Sequence, residues 1–311
     1  MITVFTPTYN RAHTISKLFD SLKKQTCTDF EWIVIDDDSS DNTEDLMKYY
    51  LSQNLSFPIT YIKQPHGGKH RAINRGVKIA KGNWFFIVDS DDYITDNAIE
   101  LIYKWIKDNE HDSKRAAVAG SRYEVNRKEQ LSVPELLKLY PGLLCFNYDR
   151  CNYGLECDKA EIYRTELLKK HPFPEYEGEF FCTEAVCWDN IAYDGYYIAF
   201  YPDSIYLCEY MDDGLTKNDA NGYTGFSNSF YSFLEYVKIE IKCHGFNQST
   251  YGIIDLALII AKDKKLSTNQ LCKKIDISES EMNKYIKHKR RTYFVRKLRN
   301  IYNKIKLRNK I

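Results

Sequence analysis

Short apolar runs alternate with segments of helical spacing through the first hundred residues, and this alternation constrains the fold more than any other feature of the chain. Residues 32–35 and 84–88 are uninterrupted apolar runs, as expected for strands that are covered on both faces of a sheet. Segments 14–25 and 71–80 place apolar residues on one helical face. The order of strand and helix predicts an α/β fold with a mostly parallel central sheet wrapped by helices.

Polar motifs follow the predicted strands. Ligands of such sheets bind beyond the carboxyl ends of the strands, so these motifs are where a functional site is expected. Each of the four motifs directly follows, or lies shortly after, one strand, and they are Thr6–Asn10, Asp36–Asp41, His66–Arg71 and Asp89–Asp92.

Three carboxylates lie within four residues after the strand at 84–88, and they belong to Asp89, Asp91 and Asp92. Carboxylates this close repel one another unless a cation joins them, and hard oxygen ligands suit Mg²⁺ or Mn²⁺. A metal at this place can neutralise charge that develops on a diphosphate leaving group. The alternative is an Asp-rich turn that caps the next helix, near Asn97. The position after a buried strand, together with three companion motifs, favours the metal.

The Asp36–Asp41 run can cap the following helix through Ser40 or Asp41, which leaves Asp37 for another role. A carboxylate at a strand end can accept the ring N–H of a uracil or thymine base. Tyr9 offers a flat face on which a base can stack. Simple packing of Tyr9 is the alternative, because the chain has 25 tyrosines.

The His66–Arg71 motif combines two glycines with Lys69 and Arg71 at the start of a predicted helix. Backbone N–H groups and cationic side chains at a helix N-terminus favour phosphate. The spacing is not that of a Walker A loop. A glycine turn with two surface cations is the alternative interpretation.

Taken together, these motifs resemble those of the family-2 glycosyltransferases, which share the GT-A fold, a Rossmann-like nucleotide-sugar-binding domain. The matching residues are Thr6–Arg11, Ile35–Asp41, Gly76–Gly82 and Val88–Asp92. The resemblance implies a nucleoside diphosphate sugar as donor, with UDP-sugars preferred, inversion at the anomeric carbon, and Mn²⁺ or Mg²⁺ as cofactor. It also implies a set of site residues: Thr6, Tyr9 and Asp37 around the base, Lys69 or Arg71 near the diphosphate, Asp89 toward the ribose and donor sugar, and Asp91 and Asp92 at the metal.

Inverting transfer needs a general base that deprotonates the acceptor hydroxyl. The family often supplies this base from a Glu-Asp pair downstream of the Asp-x-Asp motif; here Glu184 aligns with the Glu, and Ala185 stands where the Asp would be. Glu184 is therefore the first candidate, with Asp189 and Glu179 as alternatives. Trp188 would share a helical face with Glu184 and could bracket an acceptor sugar ring, with core packing as an equal alternative.

The composition, 43% hydrophobic and 28% charged, is that of a soluble globular protein. Nine cysteines without zinc-site spacing fit reduced thiols, and no signal-peptide pattern or long apolar span is present, so we expect a cytoplasmic protein. We also expect a GT-A domain over residues 1–215 and a helical extension over residues 216–311.

Residues 284–311 contain twelve Lys or Arg and no Asp or Glu, and they follow a mildly acidic body. Apolar residues at helical spacing run through this segment, namely Leu298, Ile301, Tyr302 and Ile305. Such a helix can lie on an anionic membrane, which would place the protein peripherally on the inner membrane face. A solvated helix docked on the acidic body is the alternative. No nucleic-acid partner is expected, since no recognised nucleic-acid motif accompanies the segment.

These features predict a metal-dependent inverting glycosyltransferase of hexosyltransferase type. It would move a sugar to a glycan or lipid-linked acceptor in surface polysaccharide synthesis. One alternative is a sugar nucleotidyltransferase, although the first loop lacks the glycines that such enzymes use. Another is a non-catalytic protein that binds a sugar nucleotide or glycan, which Ala185 leaves open.

Overall fold

The computed structural model describes residues 1–108, 110–131, 133–209 and 223–289. The described residues form two compact units, which divide between residues 247 and 248. The boundary predicted between residues 215 and 216 lies outside the described residues, as does most of the basic segment 284–311. Within the described ranges, no helix has the length and apolar character needed to cross a membrane.

A central sheet forms the middle of the first unit. Its strands in the described ranges are β1 (Ile2–Thr8), β2 (Phe30–Asp36), β3 (Ile59–Lys63), β4 (Trp84–Ile87), β5 (Tyr93–Ile94), β6 (Arg115–Glu124), β7 (Glu129–Leu131), β8 (Leu143–Cys145), β9 (Ala160–Arg164) and β10 (Tyr197–Cys208). They are ordered β3-β2-β1-β4-β9-β6-β10-β5, with β7 beside β6 and β8 beside β10. The first four strands in this order are parallel, whereas β9 runs antiparallel to both of its neighbours. The α/β fold is confirmed, and the sheet is mixed beyond β4.

Helices cover both faces of this sheet. They are α1 (Ile15–Lys23), α2 (Thr43–Leu51), α3 (Lys69–Ile79), α4 (Ala98–Lys107), α5 (Glu135–Leu139), α6 (Thr165–Lys170), α7 (Ala185–Tyr193), α8 (Tyr223–Asn228) and α9 (Phe230–His244), with a 3₁₀ helix at Asn147–Tyr153. Alternate residues of a strand point to opposite faces, so Val4 packs with Ile15 and Trp105 on one side, while Phe5 packs with Ile73 on the other.

Parallel pairing brings the carboxyl ends of β1, β2 and β4 to one edge of the sheet. Thr8 lies opposite Asp36 in the β1–β2 pair, and Phe5 lies opposite Ile87 in the β1–β4 pair. The loops that follow these strands therefore leave the sheet side by side. This edge is where the sequence places its polar motifs.

The second unit is helical in its described part, as predicted for the C-terminal region. It contains α10 (Tyr251–Asp263), α11 (Thr268–Lys274) and a helical stretch over residues 279–289. Ser267 and Gln270 form a capping box at the start of α11, in which each side chain bonds the other's backbone N–H. The Tyr285 hydroxyl donates to the Asp255 carboxylate at 2.5 Å and joins the last helical stretch to α10.

Candidate active site

Lys69 lies where three segments of the chain meet at the carboxyl edge of the sheet. It is the first residue of α3, and its Nζ is 2.8 Å from Oδ1 of Asp89, just after β4. The same Nζ is 3.0 Å from Oε1 of Glu184, the residue that precedes α7. The structure thus brings together three residues singled out by the sequence, and we call them the Lys69 cluster (Lys69, Asp89 and Glu184).

The electrostatics of this cluster favour an ionised ammonium and an ionised Asp89. Burial opposes charge on Lys69, but the two carboxylates outweigh it and raise the pKa of the ammonium. Burial likewise opposes charge on Asp89, yet Lys69 and then Arg122 lower the pKa of that carboxyl. Below the cluster, the Tyr206 hydroxyl accepts the Asp89 N–H at 3.0 Å, and the Arg122 guanidinium lies 4.2 Å from the Tyr206 ring centroid. Sequence reasoning missed both of these supporting residues.

Asp91 and Asp92 occupy different environments. Asp92 is only 8% exposed, and burial together with repulsion by Asp89 raises its pKa to about 7. Asp91 is half-buried, and its pKa is also raised, first by burial and then by Asp89. Its Oδ2 lies 4.0 Å from Nε of Arg11. Asp91 is therefore the more accessible of the two carboxylates, and additional positive charge beside it would relieve repulsion.

The structure limits which side chains can bind the metal that is expected at this strand end. Within the described ranges, no three His, Cys, Asp or Glu side chains are arranged to hold a metal ion. A site with all three aspartates does not form, because the Asp89 carboxylate pairs with Lys69. Mg²⁺ and Mn²⁺ are commonly bound through one or two carboxylates, with water and substrate phosphates completing the shell. The residues present fit a metal that is held jointly by Asp91 and a bound diphosphate.

Asp37 is buried, and its carboxylate holds the loop between β3 and α3. Oδ1 accepts the Gly67 N–H and the Gln64 amide, both at 2.9 Å. Oδ2 accepts the Gly68 N–H at 2.7 Å and lies 2.8 Å from Nδ1 of His66. A carboxylate offers about four lone-pair sites, and these contacts use them. The structure therefore places Asp37 as a loop anchor, and a base N–H would have to displace one of its present partners.

Tyr9 lies at the same edge, about half exposed, with its ring centroid 4.7 Å from that of His66. The His66 ring in turn stacks on Phe180 at 5.1 Å. These three rings form a column, which we call the aromatic column (Tyr9, His66 and Phe180). Tyr9 is thus a surface residue of the candidate site rather than part of the core.

Thr6 does not reach this edge, which corrects the expectation that it contacts the base. It is fully buried within β1, and its hydroxyl accepts the Trp32 indole N–H at 3.0 Å. Only residues at the very end of the strand approach the loops. Thr8 is one of them, and its buried hydroxyl has no hydrogen-bond partner among the described residues.

The Arg71 guanidinium, expected at the diphosphate, is instead hydrogen-bonded to groups of the protein. It donates to the carbonyl of Gly67 at 2.6 Å, to that of Glu179 at 2.5 Å, and to that of Tyr176. Its Nε also lies 3.6 Å from the Glu175 carboxylate. A planar guanidinium with five donors suits several loop carbonyls at once. Arg71 therefore holds the segment before α7 against the start of α3, and a role at the diphosphate is not what the structure shows.

The two alternative bases are also occupied elsewhere. The buried Glu179 carboxylate accepts the N–H groups of Tyr231 and Ser232 at 2.6 and 2.8 Å, at the N-terminus of α9, where negative charge is favourable. Asp189 is buried and accepts from the Asn147 amide at 2.7 Å, and burial raises its pKa to about 7. Among the described residues, no hydrogen bond or ion pair joins either side chain to the Lys69 cluster. Glu184 remains as the candidate base at this edge.

Trp188 belongs to the core, so the expectation that it brackets an acceptor is wrong. It is 8% exposed, stacks on Tyr163 at 4.2 Å and meets Phe173 edge-on at 5.9 Å. The exposed rings near Glu184 are instead Phe180 and Phe181, at 51% and 42%. Sequence reasoning missed these two, although their position in a polar loop just before a helix was a visible signal.

His70, next to Lys69 in α3, makes the stability of the folded protein depend on pH in a way that can be tested. It is fully buried, and neither ring nitrogen has a hydrogen-bond partner among the described residues. Burial, and then the nearby Arg71, lowers its pKa below the ordinary 6.5. The unfolded chain therefore binds the proton more readily, so stability is lost as pH falls below the unfolded pKa. Between about pH 7 and pH 5 we expect the unfolding midpoint to drop more steeply in the native protein than in His70→Leu. Parallel midpoint curves for the two proteins would contradict this.

The fold is shared with solved glycosyltransferase structures. Residues 1–349 of S. aureus TarS in complex with UDP-GlcNAc align with a TM-score of 0.61 and 21% identity, over 84% of this chain and 72% of that chain. The mannosyltransferase PcManGT from Pyrobaculum calidifontis, in complex with GDP-Man and Mn²⁺, aligns with a TM-score of 0.53 and 17% identity, over 88% of this chain and 84% of that chain. The predicted GT-A class of fold is thereby confirmed.

The chain belongs to glycosyl transferase family 2, since the model of that family matches residues 3–171. GlyG of Streptococcus pneumoniae serotype 4 is 30% identical over 191 residues, which are 56% of this chain and 58% of that protein. The poly(ribitol-phosphate) beta-N-acetylglucosaminyltransferase TarS of Staphylococcus aureus is 33% identical over 178 residues, 55% of this chain and 29% of that protein. The match thus spans less than two thirds of either relative.

Proposed function

We propose that the chain is a metal-dependent inverting glycosyltransferase that moves a sugar from a UDP-sugar to a glycan or lipid-linked acceptor in surface polysaccharide synthesis. The observation that carries the proposal is the Lys69 cluster, which sets the partly exposed carboxylate of Glu184 beside Asp89 at the sheet edge. Family membership supports the reaction type. The named activity of TarS and the UDP-GlcNAc in its structure support the donor class and the type of acceptor.

In the proposed reaction, Glu184 is the general base. Its side chain is 36% exposed, so an acceptor hydroxyl can reach it from solvent. As that oxygen forms a bond to the anomeric carbon, its proton passes to the Glu184 carboxylate, and the bond from the anomeric carbon to the diphosphate breaks. A metal ion on Asp91 would supply charge neutralisation for the departing diphosphate.

The nucleotide end of the donor would meet the loops after β1 and β2. We assign Tyr9 to stacking on the base, because its ring is half exposed at this edge. Asp37 acts indirectly in this proposal, through the loop that it holds against β2.

Phe180 and Phe181 take the acceptor role that Trp188 cannot fill. Both are exposed, and they precede Glu184 by only a few residues. Aromatic faces at such a place suit the apolar face of a sugar ring.

The proposed contact of residues 284–311 with an anionic membrane, and a cytoplasmic location, stay predictions, because residues 290–311 are outside the described ranges.

Thermal unfolding with a nucleotide panel tests the donor class. The unfolding midpoint is measured with UDP, GDP, CMP, TDP or ATP, each with and without Mn²⁺. We expect UDP to raise the midpoint only when Mn²⁺ is added. A ligand at about a hundredfold excess over its dissociation constant adds about 2.7 kcal/mol of stability. Stabilisation by ATP alone would favour the nucleotidyltransferase, and no shift with any nucleotide would refute a nucleotide donor.

A further inference from the structure

We infer that Lys69 is a positioning residue for catalysis, whose ammonium holds the Glu184 carboxylate in register with Asp89 instead of binding the donor diphosphate. This inference rests on the proposed function. It assigns Lys69 to the positioning of the general base, whereas the sequence motif predicted a contact between Lys69 and the diphosphate.

The first support is that Lys69 joins segments which are distant along the chain. Asp89 follows β4, Lys69 opens α3 and Glu184 precedes α7, yet the two carboxylate oxygens lie 2.8 and 3.0 Å from one ammonium. An ammonium has three N–H donors, and these pairs use two of them. A diphosphate would have to compete with both pairs to engage the same nitrogen.

A second link connects the same two segments through the backbone. Gly68 directly precedes Lys69 and has a φ of 91°, in the left-handed region that favours glycine. A Cβ at this position would overlap the carbonyl of Phe180, four residues before Glu184. The start of α3 and the segment that leads to Glu184 are therefore in direct contact. The ion pair acts on side chains whose backbones are already set close together.

The charges around Glu184 explain why loss of the Lys69 ammonium should impair the general base. The only ion pair that Glu184 forms with another described residue is the one to Lys69. The thiols of Cys182 and Cys187 lie within electrostatic range of Glu184. Burial, followed by nearby groups that include Glu184, raises the pKa of Cys182 to about 12 and that of Cys187 well above its ordinary value, so both stay neutral. Without Lys69, the Glu184 and Asp89 carboxylates would share this edge with no cation between them, and like charges disfavour ionisation of a base.

The test compares Lys69→Met, which keeps the aliphatic stem and removes the charge, with Lys69→Arg, which keeps the charge. Lys78→Met, at an exposed lysine near the end of the same helix, is the matched control. Affinities for UDP and for UMP are measured by calorimetry with Mn²⁺. Turnover is followed, over a range of pH, as UDP release in the hydrolysis of whichever of UDP-GlcNAc and UDP-glucose the native protein consumes faster, with water as the sugar acceptor.

We expect Lys69→Met to lower kcat by about tenfold to a hundredfold, as loss of orientation at a reacting group does. Its affinity for UDP should stay within about twofold of native, and the acid limb of its rate profile should move to higher pH. Lys69→Arg should recover most of kcat and the native acid limb, and Lys78→Met should match the native protein throughout.

Two outcomes would overturn the inference while leaving the proposed function intact. A loss of UDP affinity in Lys69→Met with unchanged UMP affinity would show that Lys69 binds the diphosphate. Unchanged turnover and affinity would show that the cluster is only a surface ion pair. Failure of the native protein to bind UDP with Mn²⁺ would instead refute the proposed function itself.

Discussion

Glu184→Gln is expected to lower kcat by about 10²- to 10⁴-fold, the range that a positioned general base contributes. The amide keeps the size of the side chain but cannot accept the acceptor proton. It also loses the charge that pairs with Lys69, although Asp89 remains as a partner for the ammonium. The measurement is donor turnover under saturating donor, alongside UDP affinity with Mn²⁺, which should change little.

The matched control for this substitution is Glu177→Gln. Glu177 is exposed on the same segment, shortly before α7. The Glu177→Gln variant should therefore retain native turnover. Turnover in Glu184→Gln within about threefold of native would remove Glu184 as the base. A joint loss of UDP affinity and turnover would instead assign Glu184 to donor binding.

Asp91→Ala is the second substitution with a large expected effect. Removing a group that merely supports a metal ligand already costs about 10–100-fold in metal affinity, so loss of the proposed ligand itself should cost at least this much. We expect the Mn²⁺-dependent binding of UDP to disappear in thermal unfolding and in calorimetry. Asp96→Ala, at an exposed aspartate a few residues further on, should bind UDP as the native protein does.

Asp91→Ala should weaken UDP binding without lowering the stability of the folded chain. A loss of binding can therefore be told apart from a folding defect. The pKa of Asp91 is raised by burial and by Asp89, so its ionised form destabilises the folded chain at neutral pH. Without ligand, Asp91→Ala should therefore unfold at the native midpoint or above it. Binding of UDP that is equally strong in Asp91→Ala, or that needs no metal in the native protein, would contradict the assignment of Asp91.

Much of the candidate site follows from local pattern. Each strand end is marked in the sequence by an apolar run that stops at polar residues, and parallel pairing brings such ends to one edge. This is why Lys69 and Asp89, chosen from motifs, are found in contact. Glu184 came from resemblance alone, because no local rule relates α7 to the loop after β4.

Four other predicted residues show where local pattern stops being sufficient. Thr6 and Trp188 have plausible spacing, but spacing along a strand or helix does not say what packs against it, and both are in the core. Arg71 and Asp37 have suitable charges, but those charges are used on backbone groups of neighbouring loops. Each of these contacts joins residues that are far apart in the chain or lie in irregular loops.

The sequence by itself determined the α/β class, the parallel half of the sheet, the edge at which the site lies and the chemical character of its residues. These depend on periodicity and on residue type, which are local properties. Only the tertiary structure decided which cation serves which carboxylate, and which aromatic rings stay exposed. Those choices follow from the close approach of α3 to the segment before α7, where Gly68 meets Phe180 and Lys69 reaches Glu184. Long-range packing sets that approach, and no single segment encodes it.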